Sequence, residues 1–424
     1  MAGRANGRLD RATLGAVTAS SAPHPIGRRA VTRPVEEAPA DLISAMPGPT
    51  GAVAFLADGD GVVGWGEYAR FETRGPGAAA EISGWVADLV ADLDVDDRVE
   101  LPGSGPLAFV SLGFDERDTS VAIIPSMVLG RRDGVSFSTV IGSPPLRTPT
   151  PIASPGAVRY SDSGLSVAGY TSAVAEAVRR IRAGELRKVV LAHDLQACTE
   201  DPVDQRHVLR RLAAVYPTCW TFAVDGLVGA SPETLIRRTG RAISSRVLAG
   251  TKWAEHRGDQ VTAELLSSTK DLAEHALAVA SVAESLAPLC DHLDVPETPH
   301  PLVLANLTHL ATDIAGHLTV DASALDLAAR LHPTAAVGGT PRTAAVRLIR
   351  ELEPAPRRRY AAPIGWLDAR GDGEFAIALR CAEISGRSVR LIAGGGIMAD
   401  SIPEVEAREA QIKMIPVRDA LESA

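Results

Sequence analysis

Cysteine is scarce in this chain of 424 residues: Cys198, Cys219, Cys290 and Cys381 stand far apart, and none forms a CxxC pair. That excludes a zinc-finger signature and a disulfide framework, and it predicts a reducing, cytoplasmic setting. Basic residues are in deficit, 43 Lys and Arg against 52 Asp and Glu, for a net charge of −9. Such a balance argues against nucleic-acid and anionic-membrane partners, so an anionic ligand would need a local basic pocket. No apolar run is long enough to span a bilayer. Arg28-Arg29 is followed by Ala-Val-Thr-Arg-Pro-Val-Glu-Glu rather than an apolar stretch, which speaks against a twin-arginine export signal. No βαβ repeat with a GxGxxG turn and no internal repeat is visible. Hydrophobic residues make up 46% of the chain, enough for a substantial globular core.

Residues 1–45 are rich in Ala, Arg, Ser, Pro and Gly without sustained periodicity, and a disordered N-terminal segment is expected there. Short apolar runs separated by turn signals come next: Ala52–Leu56, Leu107–Leu112 and Val121–Pro125. They predict a β-rich portion over 46–150. Five prolines between Pro144 and Pro155 mark a linker or long loop. The larger part, 160–424, mixes both periodicities. Ser172–Ala183, Val208–Val215, Val261–Ala287 and Thr343–Leu352 read as helices. Arg187–Ala192, Trp220–Val224, Leu235–Arg238, Phe375–Arg380 and Val389–Ala393 read as strands. The irregular alternation predicts an α+β fold rather than a doubly wound sheet.

The densest chemistry lies near the end. Leu391–Gly396 reads as a buried strand opening into a glycine turn. In the helical segment after it, Glu406, Glu409 and Lys413 share one face at i, i+3 and i+7. Asp271 and Glu274, also at i, i+3, form a second carboxylate pair. One such pair is ordinarily a solvated face; two from separate helices could converge on Mg2+, which prefers oxygen ligands. His275 lies off that face and suits packing or hydrogen bonding better than ligation. Lys188 stands in a strand-like run, where a core-facing lysine becomes a general base and an edge lysine merely snorkels to water. Glu233, at a turn rim before Leu235-Ile236, could keep its proton and act as an acid, or simply cap a turn. Arg380 could grip a carboxylate in two-pronged fashion, or be an ordinary strand-end arginine.

In order along the chain, seven segments resemble the chorismate-utilising enzymes, which include isochorismate, salicylate, anthranilate and aminodeoxychorismate synthases. They are Gly184–Leu191, Gly229–Glu233, Leu248–Thr251, Lys270–His275, Leu331–Pro341, Gly365–Glu374 and the stretch from Gly394 to Lys413. The resemblance runs from about Gly164 to Leu421 and implies one large chorismate-binding domain of mostly antiparallel sheets flanked by helices. It implies Lys188 as the base that activates water and Glu233 as the acid. Glu274 and Glu409 would ligate Mg2+, with Asp271 and Glu406 holding metal-bound water or the ligands themselves. Tyr360, Arg380, Lys413 and Gly394, Gly395 and Gly396 would hold the substrate carboxylates. Gly250 and Thr251 would line the ring, with His309 nearby.

Within the family, Ala249 stands where the aminodeoxychorismate enzymes carry a nucleophilic lysine. Lys188 is typically absent from the ammonia-using anthranilate enzymes, and no tryptophan-inhibition motif is seen in the first 160 residues. The resemblance therefore implies isochorismate formation from chorismate, feeding menaquinone or siderophore synthesis. It implies no amidotransferase partner and is compatible with a monomer. A salicylate synthase, which carries the reaction on to pyruvate loss, shares the same groups. A non-catalytic chorismate-binding protein would normally have lost one of them. Three positions depart from the family pattern: Ala335 for proline, Gly395 for alanine and Lys252 for arginine.

Overall fold

The computed structural model describes residues 28–144, 147–253, 259–305 and 307–423. Its centre is one continuous sheet, folded over on itself, in which every strand pairing but one is antiparallel among the described residues. The fold-over is made by the long strand Ser120–Arg132. One edge pairs along its whole length with Asp60–Thr73, and the other is shared by Leu107–Ser111 and Val135–Ile141. From Asp60–Thr73 a first arm runs through Val53–Ala57, Trp220–Val224, Leu227–Ser231, Cys381–Ser385 and Ser388–Ile397 to Lys188–Thr199. From Leu107–Ser111 a second arm runs through Pro363–Asp368, Gly373–Ile377, Thr234–Thr239 and Ala242–Trp253 to Leu307–Leu318. Phe55, Phe109, Phe222, Phe375 and Trp366 are fully buried within one apolar cluster. Each such ring contributes about 1.5–3 kcal/mol by leaving water.

Two short crossings between the arms carry Glu233 and Arg380. Leu227–Ser231 belongs to the first arm and Thr234–Thr239 to the second, so the chain changes arms at Pro232-Glu233. Gly373–Ile377 and Cys381–Ser385 make the same exchange through Ala378–Arg380. The crossings lie side by side: Ile377 N–H donates to the Glu233 carbonyl at 3.2 Å, and Ala230 N–H donates to the Arg380 carbonyl at 3.2 Å.

Helices cover the outer faces. Val167–Arg182 buries Tyr170, Val174, Ala177, Val178 and Ile181, the i, i+4, i+7 spacing of an amphipathic helix. It starts earlier than the sequence periodicity suggests, because Ser166 caps it by accepting from Gly169 N–H. The predicted helix Val261–Ala287 is two helices, Asp259–Ser267 and Thr269–Leu286. Ser268 caps the second by accepting from Asp271 N–H, and so breaks the run. Pro403–Glu422 carries the terminal charged face. Among the described residues no helix is long and apolar enough to cross a membrane.

Three expectations need correction. The disordered segment placed over 1–45 does not extend to its end. Arg29–Pro34 is a strand between Asp94–Asp97 and Val135–Ile141, and Leu42 and Ile43 are buried in a short 3-10 turn. Residues 1–27 of that expectation lie outside the described ones. Gly394–Gly396 is not a turn: all three belong to the strand Ser388–Ile397 and pair with Ala192, Leu191 and Val190. Arg380 does not end a strand either. It lies beyond Gly373–Ile377 by three residues and has φ of 50°, a left-handed conformation unusual for a non-glycine residue.

Candidate active site

Every candidate site residue except Lys188 lines a single cavity of about 570 Å³. Lys188 stands behind its wall, fully buried, with Nζ 3.0 Å from Glu274 Oε1. The pair is close, yet the ammonium does not meet hydrogen-bond alignment with any partner among the described residues. Lys188 opens its strand between Gly339-Thr340 and Ser388–Ile397, while Glu274 comes from the helix Thr269–Leu286. The two meet because position 396 has no side chain. A Cβ there would fall 2.1 Å from Glu274 Oε1 and 3.0 Å from Lys188 Cε.

Glu233, 4% exposed, sits in the first crossing. Burial pushes its carboxyl up to about 8, against a hydrogen bond from the Leu248 backbone and the charges of Lys188, Arg380 and Lys413. At neutral pH it therefore holds a proton. Glu274 goes the other way. Burial alone would raise it, but the ammonium of Lys188, with those of Lys413 and Lys270, holds it below the usual carboxylate range. One cavity thus contains a carboxylic acid and a carboxylate, separated in state by their surroundings.

The opposite wall is built by a bulge. Between Ala249 and Thr251 the pairing with Leu307–Leu318 shifts register, and Gly250 takes φ of +74°. A Cβ at 250 would also press to 3.0 Å from Asp271 Cβ. His275 holds the bulge from behind through ring contacts to Ala249 O at 3.2 Å and Thr312 Oγ1 at 2.7 Å. Thr251 faces His309 across the strand pair, with Oγ1 3.0 Å from Nδ1. Arg380 Nη2 reaches the other ring nitrogen at 3.2 Å. Burial, with the nearby charges of Arg380 and Lys413, keeps His309 neutral. Arg380 itself is 9% exposed, and no carboxylate among the described residues pairs with it. A buried guanidinium in no ion pair, with only the more distant charge of Glu409 acting on it, leaves room for an anionic ligand. Tyr360, whose phenol is pushed up by burial, also lines the cavity and interacts electrostatically with Arg380.

The carboxylates from two helices reach the glycine strand together. A Cβ at Gly395 would lie 3.4 Å from Glu406 Oε2 and 3.7 Å from Glu409 Oε1, close to where Gly396 meets Glu274. Three ammonium groups attend them. Lys188 is on Glu274, Lys270 Nζ is 2.9 Å from Glu406 Oε1, and Lys413 Nζ is 2.6 Å from Glu409 Oε1. Lys413 also donates to the Gly394 carbonyl at 3.1 Å. Asp271, 8% exposed, completes the acidic wall, its carboxyl raised by burial. Among the described residues, no three His, Cys, Asp or Glu side chains close around one point.

Sequence reasoning does not reach Lys270 as a site residue. Nothing local reveals it, because its partner Glu406 lies in another helix far along the chain. Arg357 escapes it as well. It is buried and binds Glu353, and its guanidinium donates to the carbonyls of Val337 and Val190, fixing the strand two residues past Lys188.

A folded-over antiparallel sheet whose cavity holds a buried acid and an anion-seeking arginine, with a buried lysine behind its wall, is the arrangement of an enzyme for a small anionic substrate. Residues 148–422 match the family described as Chorismate binding enzyme, and the chain belongs to that family. It is 39% identical to isochorismate synthase MenF of Bacillus subtilis (strain 168) over 259 residues, which cover 59% of this chain and 55% of that protein. It is 33% identical to the vibriobactin-specific isochorismate synthase of Vibrio cholerae over 318 residues, 73% of this chain and 78% of that one. Its fold superposes on the menaquinone-specific isochorismate synthase MenF of Escherichia coli with a TM-score of 0.76 and 26% identity. That match covers 93% of this chain and 94% of the other.

Proposed function

We propose that this chain is an isochorismate synthase, converting chorismate to isochorismate by exchange of the ring hydroxyl. The observation that carries the reading is Glu233, a buried carboxylic acid protonated up to about pH 8, in the cavity that Lys188 backs. In its neutral amine form, Lys188 takes a proton from water at Nζ as the water oxygen bonds to C2, and that proton returns through solvent to Glu233 after turnover. The ring double bonds shift, and Glu233 gives its proton to the hydroxyl leaving C4. One water enters and one leaves, so the reaction is an isomerisation. Each proton transfer contributes about 10²–10⁴ in rate. Arg380, Tyr360, Lys413 and the strand at Gly394–Gly396 would hold the two substrate carboxylates, and Gly250-Thr251 would border the ring.

Glu274, Glu409, Asp271 and Glu406 are all hard oxygen donors, and Gly395 and Gly396 leave open the space a Cβ would fill beside them. That donor set fits Mg2+. When bound, the ion would fix the ring carboxylate and neutralise its charge. Lys188, the water-activating group, favours hydration over amination, which accords with a chain that needs no amidotransferase subunit. A cytoplasmic monomer goes with this reading.

The test is chromatographic analysis of products from purified protein and chorismate, with and without Mg2+. Isochorismate formed only with the metal supports the reading. Salicylate with pyruvate would keep the site and change the product. Folded protein that leaves chorismate untouched would sink it.

A further inference from the structure

The contacts around His309 have a direction that their distances alone do not state. A guanidinium can only donate hydrogen bonds, since all of its nitrogens carry protons and no lone pair is available. Arg380 Nη2 lies 3.2 Å from His309 Nε2, so that nitrogen must be the acceptor and bears no hydrogen. The ring is buried and neutral, so its one proton sits on Nδ1. Nδ1 faces Thr251 Oγ1 at 3.0 Å, and the Gly250 carbonyl, a pure acceptor, also faces the ring. Both neighbours suit a donating Nδ1–H.

The consequence falls on Thr251. Its oxygen receives the imidazole proton, so its own O–H cannot point back at the ring. Thr251 lines the cavity, and the cavity is where that hydrogen is free to go. The positive φ at Gly250 and the bulge it makes set Thr251 opposite His309 in the strand pairing, which keeps the geometry from drifting.

We propose that His309 is a positioning residue that makes the Thr251 hydroxyl a fixed hydrogen-bond donor into the cavity, so that this wall selects an acceptor oxygen of an anionic ligand. The direction runs one way, Arg380 to His309 to Thr251 to ligand. Arg380 therefore does two things: its charge attracts the anion, and one of its N–H groups sets the polarity of the neighbouring wall. That the ligand is chorismate rests on the proposed isochorismate synthase activity; the relay itself does not.

The relay is read first in ligand-free protein by ¹⁵N NMR of selectively labelled histidine, with His309→Phe assigning the signal. A neutral ring protonated at Nδ1 supports it, and protonation at Nε2 or at both nitrogens overturns it. Failure of wild-type protein to isomerise chorismate would defeat the proposed activity without moving that signal.

Kinetics then test the coupling. Thr251→Val should raise KM for chorismate roughly 10- to 100-fold, the loss of a hydrogen bond to a charged ligand, with a much smaller change in kcat. Thr251→Ser should restore KM to near the wild-type value. His309→Phe should raise KM similarly, and the double variant should be no worse than either single change. Fully multiplying effects, or a serine variant as impaired as the valine one, would show that the two side chains act separately and overturn the relay.

Discussion

Lys188 Nζ and Glu274 Oε1 stand 3.0 Å apart, the lysine at the start of a buried strand and the glutamate one helical turn into a covering helix. The contact joins the proposed base to a proposed metal ligand. Lys188→Ala should lower kcat by about 10²–10⁴. It also strips a largely buried carboxylate of its nearest partner, at a cost of up to about 3 kcal/mol if Glu274 stays ionised. Turnover and urea unfolding, measured on the same sample, separate the two effects. Wild-type kcat in the variant would rule Lys188 out as the base.

Glu233 must be protonated to act as an acid, and burial places its loss of the proton at about 8. The rate should therefore hold at neutral pH and fall as pH rises through about 8. Glu233→Gln should lower kcat by about 10² or more and abolish that basic limb. Stability tracks the same group. Between 4.5, the ordinary value, and about 8, the folded chain keeps a proton that the unfolded chain has released. Stability from this residue is thus fully present below the lower value and is lost as pH rises through the upper one. Denaturant midpoints of wild type and Glu233→Gln, compared across that window, should converge at low pH. Parallel curves would contradict the assignment.

Gly396→Ala places a methyl group on Glu274 Oε1 and against Lys188. The carboxylate must swing away, so turnover should fall at least tenfold while secondary structure by circular dichroism is retained. Gly250→Ala acts through the backbone, since φ of +74° disfavours any L side chain. A loss of about 1–2 kcal/mol in unfolding free energy is expected. An unchanged denaturation midpoint would mean that the bulge rebuilds around alanine.

Mg2+ should raise the melting temperature, because a ligand of the folded state alone stabilises it, by about 2.7 kcal/mol at a hundred times its Kd. Lys270 competes for the same acidic wall through Glu406. Lys270→Met should therefore tighten Mg2+ binding in calorimetry, and Glu274→Gln should weaken it. A Lys270→Met variant that binds the ion no more tightly would show the ammonium to be a bystander.

The strands and helices are legible in the sequence where an apolar run ends at a clear turn or cap, as at Trp220–Val224 and over Val208–Val215, although that helix begins three residues earlier, at Gln205 behind the Asp204 cap. The candidate residues are legible because motif order along the chain groups them before any fold is known. Other features depend on partners distant in sequence. Three consecutive glycines suggest a turn, yet here the missing side chains let two strands and three carboxylates approach. A Cβ at Gly394 would lie 2.0 Å from Leu191 O. Arg29–Pro34 reads as irregular because six residues flanked by Arg and Pro show no period, although it finds two strands to pair with. The Arg380–His309–Thr251 contacts join residues from three separate segments, and no local pattern encodes them.

The pairing of Gly394–Gly396 with Val190–Ala192 also bears on how the molecule is made. Lys188, the proposed base, emerges in synthesis well before the strand and helix that complete its surroundings. Until then Lys188 has no neighbour at the Ser388–Ile397 edge, and Val189 to Leu191 offer an open strand to any other chain. Activity should therefore appear as one of the last events of folding, on the slow timescale of contacts distant in sequence.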